Sequence, residues 1–381
     1  MRIGLDGYPL SEIKTGVGHY TYELSRHLAM LAEEYGDEYL LVSPRPFEQS
    51  AIAGIHTPET TNRLRLIEQR TNFLTSRWWG IGLPRFLRKE KLEIFHGTNH
   101  QIPLVGACPS VVTIHDLSLL LHPGWHERRA VRRGRLFLPR IAHRASLIIT
   151  PTESVRREVV GHLGVAAENV VCVHEAPREC FYPATEKEAT EARVRLGVEK
   201  DFVLCVATLE PRKNLARLLT AFVELLRATN AKPQLVLVGR KGWLVADLMR
   251  RIDDFGSRLR WLGYVADADL RALYSSCKLF VYPSLYEGFG LPPLEAMSCG
   301  APVVASRIAS IAEVTGNAAR LVAPTDTDAL AHALIDLWGD RAARDELSSR
   351  GLQRASEFTW KRTAELTRAI YVRAIGETQR G

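Results

Sequence analysis

Apolar and β-branched residues along this chain gather in short runs, and the stretches between many of them carry helical periodicity. In the first half the runs lie at residues 2–5, 39–42, 64–68, 94–96, 111–114, 147–150 and 170–173. Each is too short for a buried helix and is rich enough in Val, Ile, Leu and Tyr to predict a strand. Tyr20, Leu24, Leu28 and Leu31 share one face of a predicted helix over 19–34. Thr152-Glu153-Ser154 predicts the start of another helix that runs to Leu163. Residues 177–198 break the alternation. They hold Pro177 and Pro183 and a polar helix over 186–196, and they read as an interdomain connection.

A second series follows. Strands are predicted at 202–207, 234–238, 259–262, 279–282, 302–305 and 319–322, with helices near 214–228, 246–255, 267–277, 294–299 and 326–338. The tail over 341–375 is helical and adds no strand, and Trp360, Leu366, Ile370 and Tyr371 suit one packed face. Alternating strands and helices imply parallel sheets covered on both faces, so the chain is α/β with two doubly wound domains.

Ligands of such sheets bind beyond the carboxyl ends of the strands. This sorts the chemistry. Gly16 and Gly18 follow the first strand after a short loop. His115 and Asp116 follow the run at 111–114. Glu210, Arg212, Lys213 and Asn214 follow 202–207, and Gly239, Arg240 and Lys241 follow 234–238. The stretch from Glu287 through Gly288, Phe289, Gly290 and Leu291 to Glu295 follows 279–282. The simplest arrangement sets the two polar rims facing each other across a cleft.

The Glu287–Glu295 stretch is the most informative. A glycine-rich turn entering a helix offers backbone N–H groups and a positive dipole end to an anion. Carboxylates do not favour phosphate, so they serve an uncharged neighbour such as sugar hydroxyls. Arg212 and Lys213 sit at a helix start, where cations oppose the dipole, and a diphosphate partner would explain them better than a surface charge pair. A glycosidase-like acid/base pairing of Glu287 with Glu295 leaves Arg212 and Lys213 unexplained. Gly16-Val17-Gly18 is either a phosphate-approach turn or a plain flexible turn; Thr21 stands where a dinucleotide fingerprint has its third glycine. His115 reads as a site residue at a strand end or as a partnered core histidine, with Asp116 orienting its ring or capping the next segment.

Composition changes this picture little. The 381 residues are 46% hydrophobic and 24% charged, ordinary for a globular protein, and no apolar run reaches membrane-spanning length. The first ten residues hold Asp6 and lack a long apolar region, which argues against a secretory signal. Cys108, Cys172, Cys180, Cys205, Cys277 and Cys299 form no C-x-x-C pair, so reduced thiols in a cytosolic protein are expected, with no metal site. The net charge of +7 is unevenly placed. Arg128, Arg129, Arg132, Arg133, Arg135, Arg140 and Arg144 oppose one acid, Glu127, and residues 73–91 are basic with Trp78, Trp79, Ile81, Leu83, Phe86 and Leu87 interleaved. Two readings stand: an anionic membrane surface, here the inner face of the cytoplasmic membrane, or a helix pair with a solvated Arg face. No nucleic-acid-binding motif accompanies the charge.

Taken together, Glu287-x7-Glu295 with Gly288-Phe289-Gly290, and Glu210-Pro211-Arg212-Lys213-Asn214, resemble glycosyltransferase family 4. Gly16, Ile114-His115-Asp116 and Gly263-Tyr264-Val265 add to the likeness, which covers nearly the whole chain. The resemblance implies the GT-B fold: two Rossmann-like doubly wound domains facing a central cleft, with a C-terminal helix crossing back to the first. The domains expected are 1–182 for the acceptor, 183–358 for a nucleotide sugar, and 359–381 for the returning helix. It also implies roles. Arg212 and Lys213 would bind the diphosphate, and Gly16 and Gly18 would let backbone approach phosphate or acceptor. His115 would lie beside the donor sugar. Glu287, with the amides of Phe289, Gly290 and Leu291, would hold sugar hydroxyls, and Glu295 would bind ribose. Backbone near Gly239, Tyr264 and Val265 would face the nucleotide. The implied activity is retaining, metal-independent hexosyl transfer without a cofactor. The pattern looks most like bacterial mannosyltransferases of polysaccharide assembly, which points to GDP-mannose as donor and a glycan or lipid-linked oligosaccharide as acceptor. UDP-sugars, a nucleotide-sugar epimerase or phosphorylase, and a non-catalytic sugar- or membrane-binding protein are the alternatives.

Overall fold

The computed structural model describes residues 1–69, 77–106, 108–231, 233–243 and 245–380. Residues 73–76 of the basic stretch 73–91 lie outside them. The chain forms two compact units, Met1–Glu175 with Thr359–Gly381, and Ala176–Phe358.

The first unit is built on seven parallel strands: β1 (Arg2–Asp6), β2 (Glu38–Ser43), β3 (Leu64–Glu68), β4 (Ile94–Gly97), β5 (Ser110–Thr113), β6 (Leu147–Thr150) and β7 (Val170–Cys172), ordered β3-β2-β1-β4-β5-β6-β7. The second has six parallel strands: β8 (Phe202–Val206), β9 (Gln234–Val238), β10 (Leu259–Trp261), β11 (Leu279–Tyr282), β12 (Val303–Ser306) and β13 (Ala319–Val322), ordered β10-β9-β8-β11-β12-β13. Parallel crossovers are right-handed, so reversing the direction of strand addition moves the helices to the other face. Each sheet reverses once, between β1 and β4 and between β8 and β11, and is doubly wound. The inner strands are buried on both sides, which is why they read as continuous apolar runs rather than alternations, while the edge strands β3, β7, β10 and β13 are partly exposed.

Three local expectations need correction. Gly16 and Gly18 do not form a separate turn, because the helix Gly16–Tyr35 already begins there. Gly18 is required by close approach: a Cβ would meet the Pro9 carbonyl at 3.2 Å, whereas at Gly16 it would meet open space. The helix expected from 294 starts at Leu291, since Pro292 and Pro293 occupy its first turn, where a missing N–H costs no helical bond. The second unit begins at Ala176 rather than 183, because Arg178 pairs with Glu295 and Asp267 and Phe181 packs edge-on against Tyr274.

The C-terminal helix Trp360–Arg380 belongs to the first unit. Its Tyr371 hydroxyl meets His96 Nδ1 on β4 at 2.7 Å. Its Arg368 Nε meets Asp37 at 2.6 Å, and the amino group of Met1 holds the same carboxylate at 2.7 Å. The helix Arg128–Arg144 buries Val131, Leu138, Ile141 and Ala142. Its exposed side shows Leu136 and Phe137, at 47% and 40% accessibility, among arginines that form no ion pair among the described residues. Among the described residues no helix is long and apolar enough to cross a membrane.

Candidate active site

In the second unit the strand order reverses between β8 and β11, and open α/β sheets take their ligands at the carboxyl ends of strands at such a switch point. The chain leaves β8 through Glu210 into a short 3-10 turn, Pro211–Lys213, and enters the helix Leu215–Ala228 through Asn214, which takes φ 58°. Asn214 Nδ2 donates to the carbonyls of Pro283 and Pro324, both at 2.9 Å, which ties this turn to the segment leaving β11. Leu285 N donates to the Arg212 carbonyl at 2.8 Å.

These ties bring Arg212, Lys213 and Glu287 together. Lys213 Nζ donates to Glu287 Oε1 at 2.6 Å and to the Tyr282 hydroxyl at 2.8 Å, and that hydroxyl donates to Glu287 Oε1 at 3.0 Å. Arg212 reaches Glu287 Oε2 at 2.9 Å and Glu210 Oε1 at 2.8 Å. Two cations and two carboxylates form one largely buried cluster with no net charge. Burial pushes the Glu287 carboxyl up, but Arg212 and Lys213 outweigh it and hold the group below its ordinary range. Burial and neighbouring Arg212 draw Lys213 down, against the pull of Glu287. Both Glu287 oxygens are thus engaged by the cations. The residues expected to hold sugar hydroxyls and diphosphate, Glu287 with Arg212 and Lys213, thus form a single interlocked group.

Backbone geometry frames the group. Ser310 Oγ donates to the Glu287 carbonyl at 2.6 Å. Gly290 takes φ 104° before the helix Leu291–Ser298, and a Cβ there would lie 2.3 Å from Ile311 Cδ1. Gly288 and Phe289 complete the turn, and Phe289 is buried edge-on to Phe358. Gly239, at φ 139°, passes so close to the Ala207 carbonyl that any side chain is excluded. Tyr264 is 64% exposed and lies under the Arg240 guanidinium, whereas Val265 is buried.

Glu295 sits farther along the helix Leu291–Ser298 and is buried. Arg178 Nε donates to its Oε1 at 2.7 Å, and Arg178 also reaches Asp267 at 2.8 Å. Burial raises the Glu295 carboxyl, with Arg178 opposing. Sequence reasoning missed Arg178. It lies in the proline-bearing connection, where no periodicity or motif singles it out.

In the first unit His115 follows β5. Its Nε2 meets the Thr98 carbonyl at 2.9 Å and its Nδ1 meets Glu175 Oε1 at 3.2 Å. Both partners are acceptors, an arrangement that suits a ring protonated on both nitrogens. Burial works against the charge, but Glu175 and the Thr98 carbonyl raise the group above its ordinary value. Glu175 orients the ring through Nδ1. Asp116 accepts from Ser118 N at 2.8 Å and so caps the next turn. The charge on His115 reinforces burial in pushing His96 down to about 3 and His100 to about 4. Of these three histidines, His115 is shifted up and the other two down.

Residues 14–176 match the family described as Glycosyltransferase Family 4, and residues 186–354 match Glycosyl transferases group 1. The chain is 33% identical to the O-antigen chain mannosyltransferase B of Escherichia coli, over 96% of each chain. It is 29% identical to the MMP alpha-(1->4)-mannosyltransferase of Mycolicibacterium hassiacum, over 98% of each. In fold it superimposes on Anabaena HepE, solved in complex with UDP and glucose, with a TM-score of 0.75 at 20% identity, covering 97% of this chain and 98% of that one. With two doubly wound parallel sheets in separate units and a polar cluster at the switch point of the second, the chain belongs to glycosyltransferase family 4, has the GT-B fold and is a glycosyltransferase.

Proposed function

We propose that this enzyme moves mannose from GDP-mannose, with retention of configuration and without a metal, to a hydroxyl of a glycan or lipid-linked oligosaccharide in cell-surface polysaccharide synthesis. The observation that carries the reading is the Arg212–Lys213–Glu287 cluster at the switch point between β8 and β11. The names of the two mannosyltransferase relatives support the sugar.

In this reading the second unit takes the donor. The diphosphate lies against Arg212, Lys213 and the backbone amides of Gly290 and Leu291, which open the helix Leu291–Ser298 ahead of Pro292 and Pro293, two residues with no N–H to offer. Because carboxylates neutralise the cations, the backbone dipoles supply the remaining attraction. Glu287 fixes both cations in place, so they need no reorganisation as negative charge grows on the leaving diphosphate. The bond from the sugar's anomeric carbon to the phosphate oxygen breaks, and a bond from that carbon to the acceptor oxygen forms on the same face. The hydroxyl proton passes to the departing phosphate. Glu295, held by Arg178, serves the ribose, Gly239, Tyr264 and Val265 border the nucleotide, and Gly16 and Gly18 admit phosphate or acceptor. His115 brings a fixed positive charge to the first unit's rim. The arginine face of the helix Arg128–Arg144, with Leu136 and Phe137, rests on an anionic membrane surface.

Thermal shift against GDP-mannose, UDP-glucose and UDP-N-acetylglucosamine tests the donor, since a ligand that binds the native state raises the melting temperature. Release of GDP only with acceptor present tests transfer, and the anomeric configuration of the product by NMR tests retention. Stabilisation by UDP-glucose alone would transfer the assignment to a UDP-sugar.

A further inference from the structure

The first unit holds a cavity of about 890 Å3, well within the roughly 300–1,000 Å3 of ligand pockets. One wall is a stripe of the helix Arg128–Arg144: Ala130, Arg133, Gly134, Phe137, Leu138 and Ile141, spaced so that they share a face. The facing wall is a single turn of π-helix, Trp78–Gly82, whose Trp78 is buried and Trp79 half-buried. The floor is the strand-end rim: Asn99 and His100 beyond β4, Asp116 beyond β5. The lining is predominantly apolar.

A smaller chamber of about 260 Å3 adjoins it. The two share Trp78, Trp79, Gln101 and Arg133. Tyr8, beyond β1, and Arg45, beyond β2, line the small chamber and not the large one, and among the described residues its lining contains two arginines and no acid. Arg45 lies over the Tyr8 ring at 5.2 Å, and among the described residues its ion pair is a solvent-exposed one with Glu12 at 3.4 Å. Among the described residues Arg133 has no ion pair. An apolar chamber opening on an arginine-lined polar one, both above the carboxyl ends of the strands, has the chemistry of an amphiphile site.

We propose that the two chambers together bind an isoprenyl phosphate, with the hydrocarbon chain in the large chamber and the phosphate between Arg45 and Arg133. The transferase reading makes this the tail of a lipid-linked acceptor, and for that role the inference rests on it. The binding itself does not. Asp116 lines the large chamber and keeps the anionic end on the arginine side by repulsion.

Farnesyl phosphate is the probe, titrated into the full chain by calorimetry and by the emission of Trp78 and Trp79, beside farnesol and inorganic phosphate. Farnesyl phosphate is expected to bind most tightly. Gly134→Leu and Ala130→Leu, which put hydrocarbon into the large chamber, should each weaken it roughly tenfold, the equivalent of about two buried methylenes. Ala130 is exposed on its helix, so the second variant stays informative if the first folds poorly. Arg133→Gln should erase the preference for farnesyl phosphate over farnesol. Arg128→Gln, outside both linings, should leave it intact. The proposal fails if farnesyl phosphate does not bind, if both chamber-filling variants bind it like the parent, or if Arg128→Gln and Arg133→Gln weaken it equally, as a general surface attraction would. GDP-mannose stabilisation is measured on the same samples. Its loss alone sinks the donor assignment, and loss of farnesyl phosphate binding alone sinks this one.

Discussion

Lys213 Nζ and Glu287 Oε1 lie 2.6 Å apart, buried beyond the carboxyl ends of β8 and β11, and Arg212 holds the other Glu287 oxygen at 2.9 Å. The carboxylate is the keystone that keeps two cations side by side. Replacing Glu287 by Gln should leave them repelling each other without a counter-charge on that side. Stability should fall by about 3 kcal/mol in denaturant unfolding, within the range for a broken buried pair, and transfer should fall with it. Lys213→Ala is expected to weaken GDP binding far more than guanosine binding. Equal losses by calorimetry would remove the phosphate assignment.

Arg178 and Glu295 make a similar commitment nearer the start of the second unit. Glu295→Ala removes the buried carboxylate that Arg178 Nε holds at 2.7 Å, so a loss of about 2 kcal/mol is expected. The same variant should weaken GDP and GMP alike, since its role is at the ribose and not at the phosphates. Unchanged nucleotide affinity would move Glu295 out of the site and leave it a structural anchor.

Gly290 combines a left-handed backbone with a Cβ position 2.3 Å from Ile311 Cδ1. Gly290→Ala should cost about 3 kcal/mol, part from conformation and part from overlap. Ile311→Val removes the offending methyl. Gly290→Ala in that background should recover the overlap part only, so full recovery in thermal melts would show that conformation contributes nothing.

His96 and His115 set opposite pH limits on the first unit. The His96 value is depressed to about 3 in the fold, mainly by burial, so the stability it contributes is present above its ordinary value and is lost as pH falls towards 3. The His115 value is raised, so its contribution is present below the ordinary value and is lost as pH rises through the folded one. A tenfold difference in proton affinity between the folded and unfolded chain is worth about 1.4 kcal/mol. His96→Gln should flatten the acid limb of a stability–pH curve, and Glu175→Gln the limb on the neutral-to-alkaline side. An acid limb unchanged in His96→Gln would assign it to other groups.

The strands were legible because both faces of these sheets are buried, and strands covered by helices on both sides require unbroken apolar runs at regular intervals. The rim residues were legible because topology alone places them: Arg212 and Glu287 follow strands that the order of the sheet makes neighbours. Pairing was harder to read. That Glu287 clasps both cations depends on Asn214 taking φ 58° and bridging two prolyl carbonyls, which no spacing rule encodes. Arg178 was invisible for a related reason: its partners lie 89 and 117 residues away. The glycines at 16 and 18 misled because Gly-Val-Gly carries a turn signal, while the helix over 16–35 gains enough from burying Tyr20, Leu24 and Leu28 to start through it.

The chain leaves the first unit at Glu175 and returns at Thr359, so the second unit is threaded into the first as an insertion. This sets an order of events during synthesis. The residues that complete the second unit, up to Phe358, emerge before the helix that completes the first. Until the last helix arrives, His96 has the Thr113 hydroxyl but lacks that of Tyr371, and Asp37 lacks Arg368. The unit made first is therefore finished last, and a chain stalled after Phe358 is expected to carry a folded second unit beside a first unit that remains open to chaperones and proteases.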